Sequence, residues 1–593
     1  MSTQSLCATL LLVATMMLSC KEQSNPPAPY GPVPSAAQLE WQKMEYNMFI
    51  HFGPNTFTNV EWGDGKEDPK VFNPTDLDCR QWVATAKAAG MKGIIITAKH
   101  HDGFCLWPSE YSTHTVRESA WKDGKGDLLR ELSDACKEYG LKFGVYLSPW
   151  DQNHPAYGTP EYNQIFSNTL DEVLIQYGEV FEQWFDGANG EGEGGKKQVY
   201  DWEMFHNTVY RNQPDAIIFS DIGPGCRWVG NEAGHVGETN WSRLDIEGFE
   251  PGLNAPNLDT LNQGNIHGAA WVPAETNTSI RPGWFYSPDT DDKVKSLEEL
   301  VDIYYTSVGR NSTFLLNIPP DKTGRIHKND SIRLMELKDA IDESFKTNLA
   351  KGKATATNIR GKAYSASNLL DGNYDSYWAT ADNVLTASVE LEMAEAQSFN
   401  RLVLQEYIAL GQRVAAFDVE YWDASENTWI PLVEATTIGY KRILSFDQVT
   451  TNKIRLNISQ SLACPVLNNL ELYLAPDFSA ESKALNTIFM DMKDPMIVET
   501  GEAARIRGFF YIPDDKVSSP NIARYNLYTS LDKKEWTLQQ SNARFNNIRN
   551  NPIRQDVSFD NPVRARYIKI EPLELANEGD KYTVAGFGVI MDN

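Results

Sequence analysis

Gly178-Glu-Val-Phe-Glu-Gln-Trp-Phe-Asp186-Gly-Ala188 decides the fold. Val180 to Phe185 is apolar and aromatic, and reads as a short buried strand. Asp186 stands at its end, and Gly187 lets the chain turn away. A carboxylate at the C-terminal tip of a parallel strand is where a β/α barrel places its reacting groups. The competing reading is an Asp that only caps the following loop.

Working outward, the flanking segments repeat the pattern. Strands are predicted at Met48–Gly53, Gly93–Lys99, Phe143–Ser148 and Ile217–Ile222. The apolar run in 93–99 is typical of a strand covered on both faces of a parallel sheet. Helices are predicted at 75–89 (Thr75 as N-cap, Gly90 as stop), 127–139, 160–177 and 201–212. Strand–helix alternation predicts a (β/α)8-like barrel over 36–349. Its second half is irregular: loops fill 223–295, with a strand-like Ser279–Tyr286. A helix at 297–309, a strand at Phe314–Ile318 and a helix at 328–345 then close it. Past residue 350 short alternating runs replace helical periodicity, as in Phe399–Gln405, Phe417–Trp422, Lys453–Ile458 and Tyr567–Ile570. The fold class is therefore α/β plus all-β, with two β-sandwiches at 350–476 and 485–593.

The chain has 593 residues and a net charge of −26, which argues against a polyanionic partner such as nucleic acid. Leu10–Leu18 is apolar but too short to span a membrane stably, and reads as an export signal. Met17-Leu-Ser-Cys20 resembles a bacterial lipoprotein cleavage site, so 1–20 is the expected signal and Cys20 the lipid anchor, with plain secretion as the alternative. The expected location is the periplasm or outer-membrane surface. Residues 21–35, with five prolines, read as a tether. Cysteines 79, 105, 136, 226 and 464 are widely spaced and read as buried free thiols.

The strand ends carry His51, followed by Glu61 and Trp62 in the next loop; His100 and His101; Tyr146; and Trp184 with Asp186. On one rim they would make a pocket of imidazoles and aromatic walls, suited to a small polyol ring. Acid/base chemistry on a glycoside needs a second carboxylate. Glu232, Glu238 and Glu275 are candidates, and spacing does not choose among them. A metal-dependent hydrolase using His100, His101 and Asp102 is a rival reading.

Phe49-Ile-His51-Phe-Gly53, His100-His-Asp-Gly-Phe104 and Trp184-Phe-Asp186-Gly187 resemble the signature segments of glycoside hydrolase family 29, the α-L-fucosidases. The resemblance covers roughly 35–345. Trp228–Gly234, Trp271–Glu275 and Ser279–Tyr286 are similar to the subgroup that cleaves α-1,3/1,4-linked fucose from branched, Lewis-type glycans. It implies a retaining exo-acting enzyme with Asp186 as nucleophile and Glu232 as acid/base, Glu275 being the runner-up or a contact to the sugar next to fucose. Their carboxyl groups should then lie about 5–5.5 Å apart. It further implies sugar contacts from His51, Glu61, Trp62, His100, His101, Tyr146, Trp184 and Trp284, and no catalytic metal or other cofactor. Broad action on simple or α-1,2-linked fucosides, or a non-catalytic glycan-binding surface protein, are the alternatives. Ala366–Trp378 resembles the discoidin-like, coagulation-factor C-type sandwich, in which Asp371 and Glu471 would flank a structural calcium; 485–593 resembles a divergent copy.

Overall fold

The structure, a computed structural model, describes residues 25–478, 487–516 and 518–592. The expected signal and Cys20 lie outside them. Eight parallel strands close a barrel in chain order: β1 (Tyr46–Ile50), β2 (Gly93–Lys99), β3 (Lys142–Leu147), β4 (Glu182–Trp184), β5 (Ile217–Ser220), β6 (Cys226–Trp228), β7 (Ala274–Ser279) and β8 (Ser312–Asn317). β1 pairs with β8 to complete the ring, Tyr46 opposite Phe314.

Helices follow β1 to β4 (Cys79–Ala88, Leu128–Tyr139, Pro160–Gln176, Trp202–Asn212). None separates β5 from β6, and only Leu258–Gln263 precedes β7. This is the irregular second half that the sequence predicts. Two boundaries differ from expectation. The first crossover helix begins at Cys79, not near Thr75, because the Asp78 carboxylate caps it by accepting from Arg80 N (3.0 Å) and Gln81 N (3.2 Å). The strand expected at 279–286 is instead β7. Its sequence, Ala-Glu-Thr-Asn-Thr-Ser, has no apolar run, yet all six residues are buried.

The helix Ala36–Gln42 inserts Trp41 among the inward-facing Phe49, Ile95, Tyr146, Trp184, Phe219 and Leu315. The barrel interior is thus an aromatic plug, and the chemistry is confined to the rim. The helices pack outside on a second apolar layer that includes Trp82, Leu129, Phe166 and Phe205. The Pro-rich segment within 25–35 is docked rather than free. Tyr30 N donates to the Leu410 carbonyl (3.0 Å), and Arg413 reaches the Ala28 carbonyl (2.7 Å).

Two antiparallel β regions follow. In the first, strands 387–406 and 442–461 form the central ladder, and register shifts bend the sheet around Trp378, Phe399 and Leu456. The second has a five-stranded sheet and a two-stranded ribbon around Phe509, Tyr511, Tyr525 and Ile568.

Candidate active site

The C-terminal ends of the barrel strands open into a cavity of about 1530 Å³. Its lining includes His51, Glu61, Trp62, His100, His101, Tyr146, Trp184, Asp186, Glu232 and Trp284. Glu275 does not line it.

Asp186 sits two residues beyond β4, with its side chain 28% exposed. Oδ2 accepts from the Tyr146 hydroxyl (3.0 Å), and Oδ1 from Ala188 N (2.8 Å). Burial and the adjacent carboxylate push the Tyr146 pKa well above its usual value, so the phenol stays a donor. His101 Nε2 lies 3.7 Å from Asp186 Oδ2. Its Nδ1 faces Ser148 Oγ (2.8 Å), which donates to the Trp150 carbonyl (2.8 Å). Ser148 therefore accepts from Nδ1–H of His101, and Nε2 is the nitrogen that faces Asp186. Likewise Asn317 Oδ1 accepts from His51 N (3.1 Å) and holds Nδ1 at 2.9 Å, while its Nδ2 donates to Ser279 Oγ and the Trp284 carbonyl. Burial lowers the His51 pKa to about 3, so His51 is neutral throughout the working range.

Trp184 forms the floor. It stacks on Phe219 with ring centroids 3.9 Å apart, and its Nε1 donates to Glu275 Oε1 (3.0 Å). Glu275 is fully buried on β7 and is not among the residues that line the cavity. This placement corrects both expectations for Glu275, because neither a leaving group nor a neighbouring sugar reaches it there. Glu182, Cys226 and Glu275 are the one group of metal-ligand type, among the described residues, whose atoms converge within 4.8 Å. Trp41 donates to Glu182 (2.7 Å), and burial raises both carboxyl pKa values, Glu275 to about 7. Such a pair is better served by a shared proton than by a cation.

Glu232 lies in the loop after β6. Its Oε2 accepts from Trp284 Nε1 (2.8 Å) and from Asn547 Nδ2 of the C-terminal β region. Burial raises its pKa to about 7, and the Asp186 charge adds to the shift. Glu61 accepts from Trp284 N (2.9 Å) and is also pushed up to about 7 by burial. A Cβ on Gly283 would lie 1.9 Å from Glu61 Oε1, so glycine is what allows this approach. Trp62, 61% exposed, stands at the rim against Trp150 and His101.

The side chains of the His100-His101-Asp102 run do not converge as a three-ligand group among the described residues. Asp102 turns back to accept from Phe104 N (2.7 Å), and His101 serves Ser148 and Asp186. Asp371 and Glu471 do not belong to a three-ligand side-chain group among the described residues. Asp371 instead accepts from Asn373 N (2.8 Å) and Ser376 Oγ (2.6 Å) within its own turn. Sequence reasoning missed Asn317, Asp221, Phe285 and the loop around Asn547. Asp221 had a signal, as a carboxylate at a strand end; burial raises its pKa to about 6.

A family model for α-L-fucosidase matches residues 30–341, and one for the F5/8 type C domain matches 353–467 and 490–586. The chain belongs to the α-L-fucosidase family. It is 41% identical over 488 residues to alpha-L-fucosidase 1 of Arabidopsis thaliana, spanning 80% of this chain and 95% of that one. A solved glycoside hydrolase 29 family member from an unknown rumen bacterium is 41% identical, with TM-score 0.69 over 95% of this chain and all of that one. A Ruminococcus gnavus GH29 fucosidase solved in complex with fucose is 33% identical, with TM-score 0.70 over 77% of this chain and 98% of that one. The protein is thus an α-L-fucosidase, a glycoside hydrolase of family 29.

Proposed function

We propose that the enzyme is a retaining exo-α-L-fucosidase that removes α-1,3/1,4-linked fucose from branched, Lewis-type glycans. The observation that carries this reading is the chemical split between two carboxyls on one pocket. Asp186 is open to the cavity and held by Tyr146, whereas Glu232 is raised to about 7. A carboxyl held protonated near neutral pH can act as the acid beside an open carboxylate that acts as nucleophile. An Asp186 oxygen attacks the anomeric carbon as the glycosidic C–O bond breaks, and Glu232 gives its proton to the departing oxygen. Water then attacks the fucosyl-enzyme, giving its proton to Glu232 and freeing Asp186. His51, His100 and His101 would meet the sugar hydroxyls, and the Trp184 and Trp284 faces would meet the ring and its C5 methyl. The branched substrate is favoured because the cavity far exceeds one monosaccharide and extends to residues 523–574.

The test is fucose release from a Lewis-type trisaccharide and from an aryl α-L-fucoside, by wild type and Asp186→Asn. The expected result is efficient release from the trisaccharide, lost in the variant. Equal cleavage of the aryl fucoside would replace the branched specificity with a broad one. Cleavage of neither would favour a glycan-binding protein. We also propose export and lipidation at Cys20, read out by labelled fatty acid that Cys20→Ala fails to incorporate. A calcium ion at the Asp371 turn remains a proposal, tested by whether EDTA lowers the melting temperature.

A further inference from the structure

The outer wall of the pocket does not come from the barrel. Phe545–Asn550 and Ile553–Asp556, in the second β region, line it. Two bonds join this loop to the β6 loop, across 315 residues in the case of Asn547: Asn547 Nδ2 donates to Glu232 Oε2, and Glu232 N donates to the Asn550 carbonyl (2.8 Å). The loop is anchored beneath. Phe545 stacks on Tyr525 (4.4 Å) and Tyr511 (4.9 Å), and Ile548 is buried in the same core. Asn550 N and Asn551 N both donate to the Asn547 carbonyl (3.2 and 2.9 Å). Asn547 itself has φ 47°, a left-handed conformation that Asn adopts more readily than most residues.

We propose that this loop of the C-terminal β region is part of the active site, and that Asn547 is a positioning residue that orients the Glu232 carboxyl toward the leaving group. The proposal rests on the acid/base reading of Glu232. Trp284 and Asn547 both donate to Oε2, so the acidic proton resides on Oε1. One oxygen is thereby fixed and the other presented. Burial, Asp186 and Glu61 oppose a negative charge on Glu232, and hydrogen bonds from Asn547, Trp284 and Asn550 favour it. Among the pocket-lining cations, Lys293 and Arg554 pair with Asp556, and Arg524 with Glu574; Lys295, Arg544 and Arg549 also line the cavity. Losing the Asn547 donor should therefore raise the Glu232 pKa.

The experiment compares kcat/KM for Asn547→Gly and Asn547→Asp on two substrates. Glycine removes the amide without straining the left-handed backbone, and aspartate keeps the shape while replacing donor with acceptor. One substrate is a Lewis-type trisaccharide, whose leaving alcohol needs a proton. The other is 2,4-dinitrophenyl α-L-fucoside, whose phenolate does not. We expect a loss of about tenfold or more on the trisaccharide, the worth of one hydrogen bond to a charged group. On the aryl fucoside we expect rates within about threefold of wild type, because general acid help is not required there. The alkaline limb of the trisaccharide profile should move to higher pH, most for Asn547→Asp. Equal losses on both substrates, or unchanged rates with an unmoved limb, would overturn the proposal. Should Asn547→Gly lower the folded yield, the isosteric Asn547→Asp carries the test. Glu232→Ala run in parallel separates the two readings. If it lacks the leaving-group dependence, the acid/base role falls and takes the proposal with it. If it shows the dependence and the Asn547 variants do not, only the proposal falls.

Discussion

The two β regions share a family model and differ in what they do to the barrel. The first is fused to its body away from the pocket. Gln412 accepts from Ser242 N (2.8 Å) and donates to the Asn240 carbonyl (2.9 Å), and Asn311 accepts from Tyr440 N (2.7 Å). Val403, Ile443 and Tyr473 join the outer apolar layer of the barrel. Among the described residues, none from 350–476 lines the cavity, whereas the second region supplies one of its walls. A shared fold thus predicts neither a brace nor a wall; the loop that meets the rim decides.

That contrast can be broken or sharpened by substitution. The largest effect belongs to the barrel rim itself: Asp186→Ala should lower kcat on the order of 10³-fold or more, measured on any fucoside, with folding intact. Glu232 should set the alkaline limb. An acid must be protonated, so kcat/KM on a glycan falls as pH rises through about 7. Glu232→Gln should abolish that limb, while Glu61→Gln, at a neighbour with a similar value, should leave it.

Effects on stability alone come next. Lys99 and Asp151 form a buried pair (2.8 Å) joined by Tyr162. Lys99→Met strands the carboxylate and should cost about 3–5 kcal/mol in denaturant unfolding. Gln412→Ala tests the brace. It unpairs buried groups and should cost about 1–3 kcal/mol, with pH profile and leaving-group dependence unchanged. If Gln412→Ala moved those profiles as Asn547→Asp does, the two β regions would not differ as described.

The barrel was legible wherever strands are apolar. Ile94–Ile96 and Val145–Leu147 announce themselves because both faces are covered. β7 was not, because Glu275, Thr276, Asn277 and Thr278 are polar yet buried, and only some are paired: Trp184 donates to Glu275, and Thr276 Oγ1 donates to the Thr313 carbonyl (2.8 Å). The same gap let Glu275 pass as a rim residue. Asp186, the histidines, Tyr146 and Trp184 could be found because strand ends converge by construction in a closed barrel. Glu232 could be found only through family resemblance, since loop residues carry no periodicity. Asn547 gave no signal, because its role arises from docking two regions, and nothing local in Ala543-Arg-Phe-Asn-Asn547 distinguishes it from a turn.

Asp186 is the residue expected to receive the sugar. A 2-deoxy-2-fluoro fucosyl donor with a good leaving group should form the fucosyl-enzyme faster than water resolves it. Peptide mapping by mass spectrometry should then find one fluorofucosyl adduct, on the peptide carrying Asp186. An adduct on Glu232 or Asp221, or full turnover with no adduct at all, would contradict the account.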